Sequence, residues 1–213
     1  MSHVVVVDYG MGNLRSVAKA LEYVAGSEHT IEVSGDLQRL EAADKVVFPG
    51  QGAMRDCMRE IDARGLRDAV THAAKNKPFL GLCIGLQLLF DHSEEGDTPG
   101  LGILSGQVKK FPAEAMMDAK GNRLKVPHMG WNEVYPHQAH PLWEGIASGT
   151  RFYFVHSYYV QPAQSDVIAA HSAYPFQFAC AAEQEALFAV QFHPEKSDRA
   201  GLKLLSNFLT WSP

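Results

Sequence analysis

The chain has 213 residues, 46% of them hydrophobic and 20% charged, with a formal net charge of −5. That is enough apolar sequence for one substantial core, and a single domain over residues 1–213 is the simplest reading. The acidic balance and the lack of a long Lys/Arg run exclude a nucleic-acid surface built on phosphate contacts, and no apolar stretch approaches the ~20 residues of a membrane-spanning helix.

Met1-Ser2-His3 leads into valines without a basic region or a cleavage site, so a cytoplasmic protein with no membrane partner is expected. Val4-Val5-Val6-Val7 is the kind of β-branched run found in a strand covered on both faces, and 8–13 reads as the loop after it. Asn13 is placed to cap a helix in which Leu14, Val17, Ala18, Leu21 and Val24 recur at helical spacing. Residues 30–33 and 45–48 read as strands, 66–76 as a helix, 79–83 as a strand and 84–90 as the helix it enters. This alternation predicts an α/β fold: an open, mixed but mainly parallel sheet with helices on both faces.

The polar segment 93–100 reads as a solvated loop. From residue 107 onward the pattern turns strand-like, at 107–111, 130–135, 151–160, 167–172, 178–182 and 187–192, which predicts antiparallel additions to the sheet. Residues 199–209 close with a helix whose Leu202, Leu205 and Leu209 form one core-facing stripe.

Three cysteines without a CxxC pair fit a reducing compartment. The histidine cluster His128, His137 and His140 lacks cysteine partners and any HExxH arrangement, so no metal site is expected and surface or capping roles are assigned to it. Gly10-Met11-Gly12 opens like a dinucleotide fingerprint, but Arg15 stands where the third glycine is needed. No GxxxxGK[ST] occurs, and no cofactor is expected.

The chemistry concentrates in two segments. Cys83 lies in Gly81-Leu82-Cys83-Ile84-Gly85, and glycines two residues either side of a nucleophile are what a sharp strand-to-helix turn requires. Far downstream, His193-Pro194-Glu195 offers a base and a carboxylate; with the segment extended by Pro194, positions i and i+2 face one site. A histidine aimed at the thiol generates thiolate, and a carboxylate on its far nitrogen fixes the tautomer. Pro49-Gly50-Gln51-Gly52 follows a strand at its carboxyl end, and with the N–H of Ile84 it proposes an oxyanion hole. The polar triplet His156-Ser157-Tyr158, within an aromatic-rich strand, is expected to touch substrate.

Taken together, the cysteine elbow, Gln87 after it, the Pro49 to Gly52 loop and Phe192-His193-Pro194-Glu195 resemble the class I glutamine amidotransferases, whose domain is flavodoxin-like with antiparallel additions. Asp8-Tyr9-Gly10-Met11-Gly12-Asn13-Leu14, Pro127-His128-Met129-Gly130-Trp131-Asn132 and Phe154-Val155-His156-Ser157-Tyr158 extend the resemblance over essentially the whole chain. It implies hydrolysis of L-glutamine by Cys83, His193 and Glu195. It also implies that Gln87, Gly52 and 156–158 hold the substrate's backbone groups. A partner is implied as well: a (β/α)8 subunit that takes up the ammonia through an internal tunnel, in a heterodimer, with Asn13, Trp131, Tyr153 and Lys196 near the interface. Two positions depart from the family pattern. Gln51 replaces a small apolar residue and Met54 an aromatic, which bears on the loop's mobility more than on the chemistry.

Three other readings compete. A different class I glutaminase usually carries Pro-Gly-Gly-Glu-Ser where this chain has Pro49 to Ala53. A binding module that kept only the fold normally loses one of Cys83, His193 and Glu195. A cysteine hydrolase working alone is distinguished by the absence of a co-purifying partner.

Overall fold

The valine run becomes the second strand from one edge of a large sheet. In a computed structural model describing residues 2–117 and 121–213, β1 (Ser2–Val7) lies between β2 (His29–Ser34) and β3 (Lys45–Gly50). Side chains alternate across a strand, so Val5 and Val7 enter the core on one face and Val4 and Val6 the core on the other. Each fully buried aliphatic side chain contributes on the order of 1.5–3 kcal/mol, which makes this two-sided burial the main support of the strand.

Next come β4 (Phe79–Cys83) and β13 (Leu187–Val190), both parallel to their inner neighbours. Beyond β13 the sheet turns largely antiparallel through β12 (Gln177–Gln184), β10 (Tyr158–Pro162) and β7 (Leu104–Lys110). It ends in β5 (Phe90–Ser93), parallel to β7, and β6 (Thr98–Pro99). A branch leaves β12 through β11 (Ile168–Ala173), β8 (His128–Pro136) and β9 (Thr150–His156). Helices α1 (Leu14–Ala25) and α6 (Asp198–Thr210) cover the Val4/Val6 face. Helices α2 (Leu37–Ala42), α3 (Met54–Ala63) and α4 (Arg67–Asn76) cover the other. The mixed, partly parallel α/β architecture is as expected from the alternation. Among the described residues no helix is long and apolar enough to cross a membrane.

Three local expectations are corrected, and two helices are added. Asn13 makes no side-chain cap; its backbone carbonyl accepts from the Val17 N–H at 3.2 Å instead. The helix expected over 84–90 stops after one turn, α5 (Ile84–Gln87), because the next residues are buried all round and their backbone is claimed elsewhere: the N–H of Leu101 donates to the Leu88 carbonyl and that of Ile103 to Leu89, each at 2.8 Å. An unbroken apolar run carries no periodicity to separate helix from strand. Segment 93–100 is a small hairpin rather than a solvated loop, with Ser93 and Thr98 buried. The two buried hydroxyls are spent internally, that of Ser93 accepting from the Glu95 N–H and that of Thr98 donating to the Glu95 carbonyl at 2.6 Å, while Glu94, Gly96, Asp97 and Pro99 are exposed. Helices α2 and α3 escaped the sequence reading. Asp36 caps α2, its carboxylate accepting from the N–H groups of Gln38 and Arg39.

The turn from β4 into α5 is the sharpest feature of the sheet. Cys83 has φ 56°, a conformation costing a non-glycine residue on the order of 1–3 kcal/mol. A Cβ on Gly85 would sit 1.9 Å from the Phe48 carbonyl oxygen, and one on Gly81 would meet the Ala189 Cβ at 2.9 Å. Gly85→Ala should therefore destabilise the fold by about 3 kcal/mol or more. Gly26→Ala, at positive φ but facing open space, should cost about 1–2 kcal/mol. Urea-unfolding midpoints of the two variants check the difference, and equal midpoints would show that the elbow tolerates a side chain.

Candidate active site

His193 follows β13, and its backbone is fixed before its side chain does anything. Its N–H donates to the Tyr153 carbonyl at 2.9 Å, and the buried Ser197 hydroxyl donates to its carbonyl at 2.6 Å while accepting from the Tyr153 N–H. The ring Nδ1 lies 2.9 Å from the Glu195 carboxylate. Since a carboxylate only accepts, Nδ1 is assigned the proton and the neutral ring presents its Nε2 lone pair to the other side. The expectation of an extended segment is half right. His193 itself is extended, but residues 194–196 form a 3₁₀ turn, and it is this turn that brings Glu195 under the ring.

The Nε2 of His193 is buried, with no hydrogen-bond partner among the described residues, and the Cys83 side chain is the strongest of the groups that favour a proton on the ring. Burial alone would lower the imidazole pKa. The Cys83 sulfur and then the Glu195 carboxylate outweigh that and hold the ring above its ordinary value. All three cysteines are buried and unbridged, so exposure does not single out Cys83. Cys180, by contrast, has only apolar surroundings, and burial pushes its thiol pKa up.

Cys83 and His193 open into one cavity of about 410 Å³. All the residues expected to contact substrate line it: Gly50, Gln51 and Gly52 on one side, Ile84 and Gln87 at the elbow, and His156, Ser157 and Tyr158 opposite. A larger neighbouring cavity of about 830 Å³, bordered by Lys110, Arg123 and Lys125, shares Ser157 and Tyr158 but neither Cys83 nor His193. Lys196 also lines the site cavity, while Asn13 borders a small recess beside His193 and Glu195. Trp131 and Tyr153 are cross-strand partners of β8 and β9 with ring centroids 6.2 Å apart, and Trp131 is 49% exposed.

Two residues of the site were missed in the sequence. Gln191, fully buried, donates from Nε2 to the Cys83 sulfur at 3.8 Å and accepts from Gln87 at 3.0 Å. Its signal was present, because position 191 shares the parity of His193. Glu95 lines the cavity while its other oxygen accepts from the Met54 N–H at the start of α3, and nothing in the polar segment around it marked it out. The Gln87 amide nitrogen is used internally, on Gln191 and on the Tyr158 carbonyl, which leaves its buried Oε1 without a partner among the described residues.

The surface or capping role assigned to the histidine cluster holds for His140, whose ring accepts from the Leu142 N–H, and fails for His128. His128 is buried, stacked on Tyr174 with centroids 4.0 Å apart, and its Nδ1 lies 2.9 Å from Nε2 of His156. His156 Nδ1 lies 2.7 Å from the Tyr158 carbonyl and so carries a proton; its Nε2 then accepts from His128, and Nε2 of His128 accepts from Asn132. Every proton is placed with both rings neutral. Burial lowers the pKa of His156 to about 3 and that of His128 to about 4.

Comparison with known proteins gives the same picture over the same residues. The family described as "Glutamine amidotransferase class-I" matches residues 5–211. The chain is 64% identical over 210 residues to the imidazole glycerol phosphate synthase subunit HisH of Thiobacillus denitrificans, covering 99% of this chain and 92% of that protein. It is 62% identical to the subunit of the same name from Nitrosospira multiformis, over the full length of both. Among solved structures, PurLQS from Thermotoga maritima superposes with a TM-score of 0.69 at 18% identity, covering 98% of each chain. A putative GMP synthase protein from Thermoplasma acidophilum superposes with 0.68 at 20%, covering 98% of this chain and 92% of that one. At those identities the structures speak for the fold alone.

The paired histidines make stability sensitive to acid. The folded rings refuse protons that an unfolded chain accepts near pH 6.5, so their contribution is complete above that pH and is lost as pH falls toward 4, at up to about 1.4 kcal/mol per pH unit for each ring. His193, with its raised folded value, acts in the opposite window: its contribution is complete below pH 6.5 and is lost as pH rises through that raised value. His128→Gln should remove close to one proton from the slope of unfolding free energy between pH 4.5 and 6.5. Urea titrations across that range measure it, and an unchanged slope would mean that His128 is already protonated in the fold.

Proposed function

We infer that this chain, which belongs to the class I glutamine amidotransferase family, is the glutaminase subunit of imidazole glycerol phosphate synthase in L-histidine biosynthesis. The observation that carries the chemistry is that Cys83 and His193 open into one cavity while Glu195 sits on the far ring nitrogen. The specific identity rests on the relatives named HisH that match the chain from end to end. Residues 1–213 act as one glutaminase domain.

In the proposed reaction His193 Nε2 takes the Cys83 proton, and the sulfur attacks the side-chain amide carbon of L-glutamine. The oxygen of the tetrahedral adduct is received by the N–H of Ile84 and by an N–H of the Gly50 to Gly52 loop. Collapse breaks the C–N bond as His193 returns the proton, so ammonia leaves and a glutamyl thioester stays on Cys83. Water, deprotonated by the same imidazole, then releases glutamate and restores the thiol. Glu195 orients the ring and offsets its charge in the imidazolium state. Gln191 steadies the sulfur through its amide N–H. The free Oε1 of Gln87 and the carboxylate of Glu95 are acceptors suited to the substrate's ammonium group, with Ser157 and Tyr158 closing the opposite wall. No step calls for a cofactor or a metal.

Ammonia that escapes into water is protonated and ceases to be a nucleophile, so an acceptor must adjoin the site. The proposed partner is the cyclase subunit of the synthase, a (β/α)8 barrel paired with this chain as a heterodimer. It combines ammonia with a phosphoribulosyl aminoimidazole carboxamide ribotide to give imidazole glycerol phosphate and an aminoimidazole carboxamide ribotide. Trp131, beside Tyr153 and with the exposed Met129 on the same strand, offers the aromatic and apolar surface that interfaces favour. Asn13, bordering the recess beside His193 and Glu195, and Lys196, lining the site cavity, are proposed to belong to the same interface.

Cys83→Ala should abolish glutamate release in the assembled complex while the variant still co-purifies with the cyclase. His193→Ala should lower kcat by about 10³-fold or more, and Glu195→Ala by less, since it orients the ring without exchanging a proton with substrate. Steady-state glutaminase assays with the cyclase and its nucleotide ligand present decide this. Turnover by Cys83→Ala would overturn the role of the thiol, and the reverse order of the other two would overturn their division of labour.

A further inference from the structure

Two polar side chains lie beneath the Pro49 to Gly52 loop where apolar ones would pack as well. Tyr9, from the loop after β1, is fully buried against Phe48 with ring centroids 5.5 Å apart, and its hydroxyl donates to the Pro49 carbonyl at 2.9 Å. Cys57, also fully buried, donates from the early part of α3 to the Gln51 carbonyl at 3.4 Å. A buried hydroxyl costs free energy unless it is bonded, so Phe and Ala would fill the same space with no such demand. Both groups keep their protons at neutral pH: burial raises the Cys57 thiol to about 11 and carries Tyr9 well above its ordinary value. They are donors throughout the working range.

The consequence is directional. In a trans peptide the C=O and the following N–H point opposite ways. With the carbonyls of Pro49 and Gln51 both drawn into the core, the N–H groups of Gly50 and Gly52 point away from it. The Gln51 side chain itself is exposed, so the loop is held through its backbone alone. The Gly50–Gln51 peptide is left between two anchored carbonyls. A Cβ at Gly50 would lie 2.8 Å from the Tyr9 oxygen, so the hydroxyl sits directly against this glycine.

We propose that Tyr9 and Cys57 are positioning residues of the oxyanion site, their hydroxyl and thiol holding the carbonyls on either side of Gly50–Gln51 inward so that the loop's amides are presented to the substrate oxygen. The proposal rests on the glutaminase reading for its catalytic consequence and on the hydrogen bonds alone for its structural one, so it is tested at both levels.

The variants are Tyr9→Phe, Cys57→Ala and Cys57→Ser, the last retaining a donor; thermal melts establish that each is folded. Amide hydrogen exchange of the isolated chain, read by NMR, should show the Gly50 and Gly52 amides exchanging about 10-fold faster in Tyr9→Phe and Cys57→Ala, with Cys57→Ser close to wild type. This arm is independent of any turnover. In the complex with the cyclase, the first two variants should lower kcat for glutamine about 10-fold with KM within 2-fold, and Cys57→Ser should recover most of it. The rate of Cys83 alkylation by iodoacetamide should not change. Unaltered exchange in folded Tyr9→Phe and Cys57→Ala overturns the proposal, and so does a fall in alkylation that tracks the fall in kcat. A wild-type complex that fails to hydrolyse glutamine refutes the glutaminase reading instead, and leaves the exchange arm to decide the clamp.

Discussion

The site depends on how closely three stretches of backbone approach one another at the end of the sheet. The Phe48 carbonyl reaches the Cα of Gly85, Gly81 lies against Ala189, and Gly50 pairs with Cys83 across β3 and β4. No side chain larger than hydrogen fits at the first of these contacts. This closeness turns the chain sharply enough to lift Cys83 off the sheet, and it sets the oxyanion loop beside the elbow. Everything catalytic is then a matter of which side chains reach the space above.

Those side chains are not independently placed. From the outer strand β8 inward, Asn132 donates to His128, His128 to His156 and His156 to the Tyr158 carbonyl, which also accepts from Gln87; Gln87 in turn donates to Gln191, which donates to the Cys83 sulfur. Each buried donor has an acceptor, and each tautomer follows from the one before it. Among the described residues, the buried polar atoms left without a partner around the site are Gln87 Oε1 on this path and, beside it, His193 Nε2 and Glu195 Oε2. Buried polar groups left open are costly, and the first two are those that a bound substrate and the thiol have use for.

How much of this was legible in the sequence follows from the same physics. The valine run, the elbow glycines and the His193-Pro194-Glu195 segment were readable because steric and pairing demands act on neighbouring residues. The short helix α5 was misread because the run from Leu86 to Phe90 is buried on every side, Gln87 included, and full burial erases the period that tells helix from strand. Glu95 was hidden because a carboxylate in a largely exposed polar segment looks the same whether it faces water or reaches the distant Met54 N–H. His128 was assigned to the surface because its neutral, stacked state depends on Phe154, Tyr174 and His156, which lie 26 or more residues away in sequence. Tyr9 fell in a segment read as a loop and Cys57 was one of three unpaired cysteines; both prove to be core. Only the loop packed above them shows what their polar atoms hold.

Two histidines share the cavity, and the fold drives their basicities apart. His156 is buried among aromatic rings, with a second neutral imidazole on one nitrogen and the Tyr158 carbonyl on the other; burial outweighs the carbonyl's pull and holds the ring neutral. His193 is nearly as buried but has a carboxylate on Nδ1 and a sulfur on the Nε2 side, and both favour the charged ring. Burial strengthens that preference, since the same low dielectric that penalises a lone charge magnifies the attraction of a paired one. Shifting the proton affinities of two like groups in opposite directions within one pocket separates acid–base work from fixed polar scaffolding. A proton taken from Cys83 is therefore held on His193, where the leaving ammonia needs it, and is not lost to the neighbouring ring.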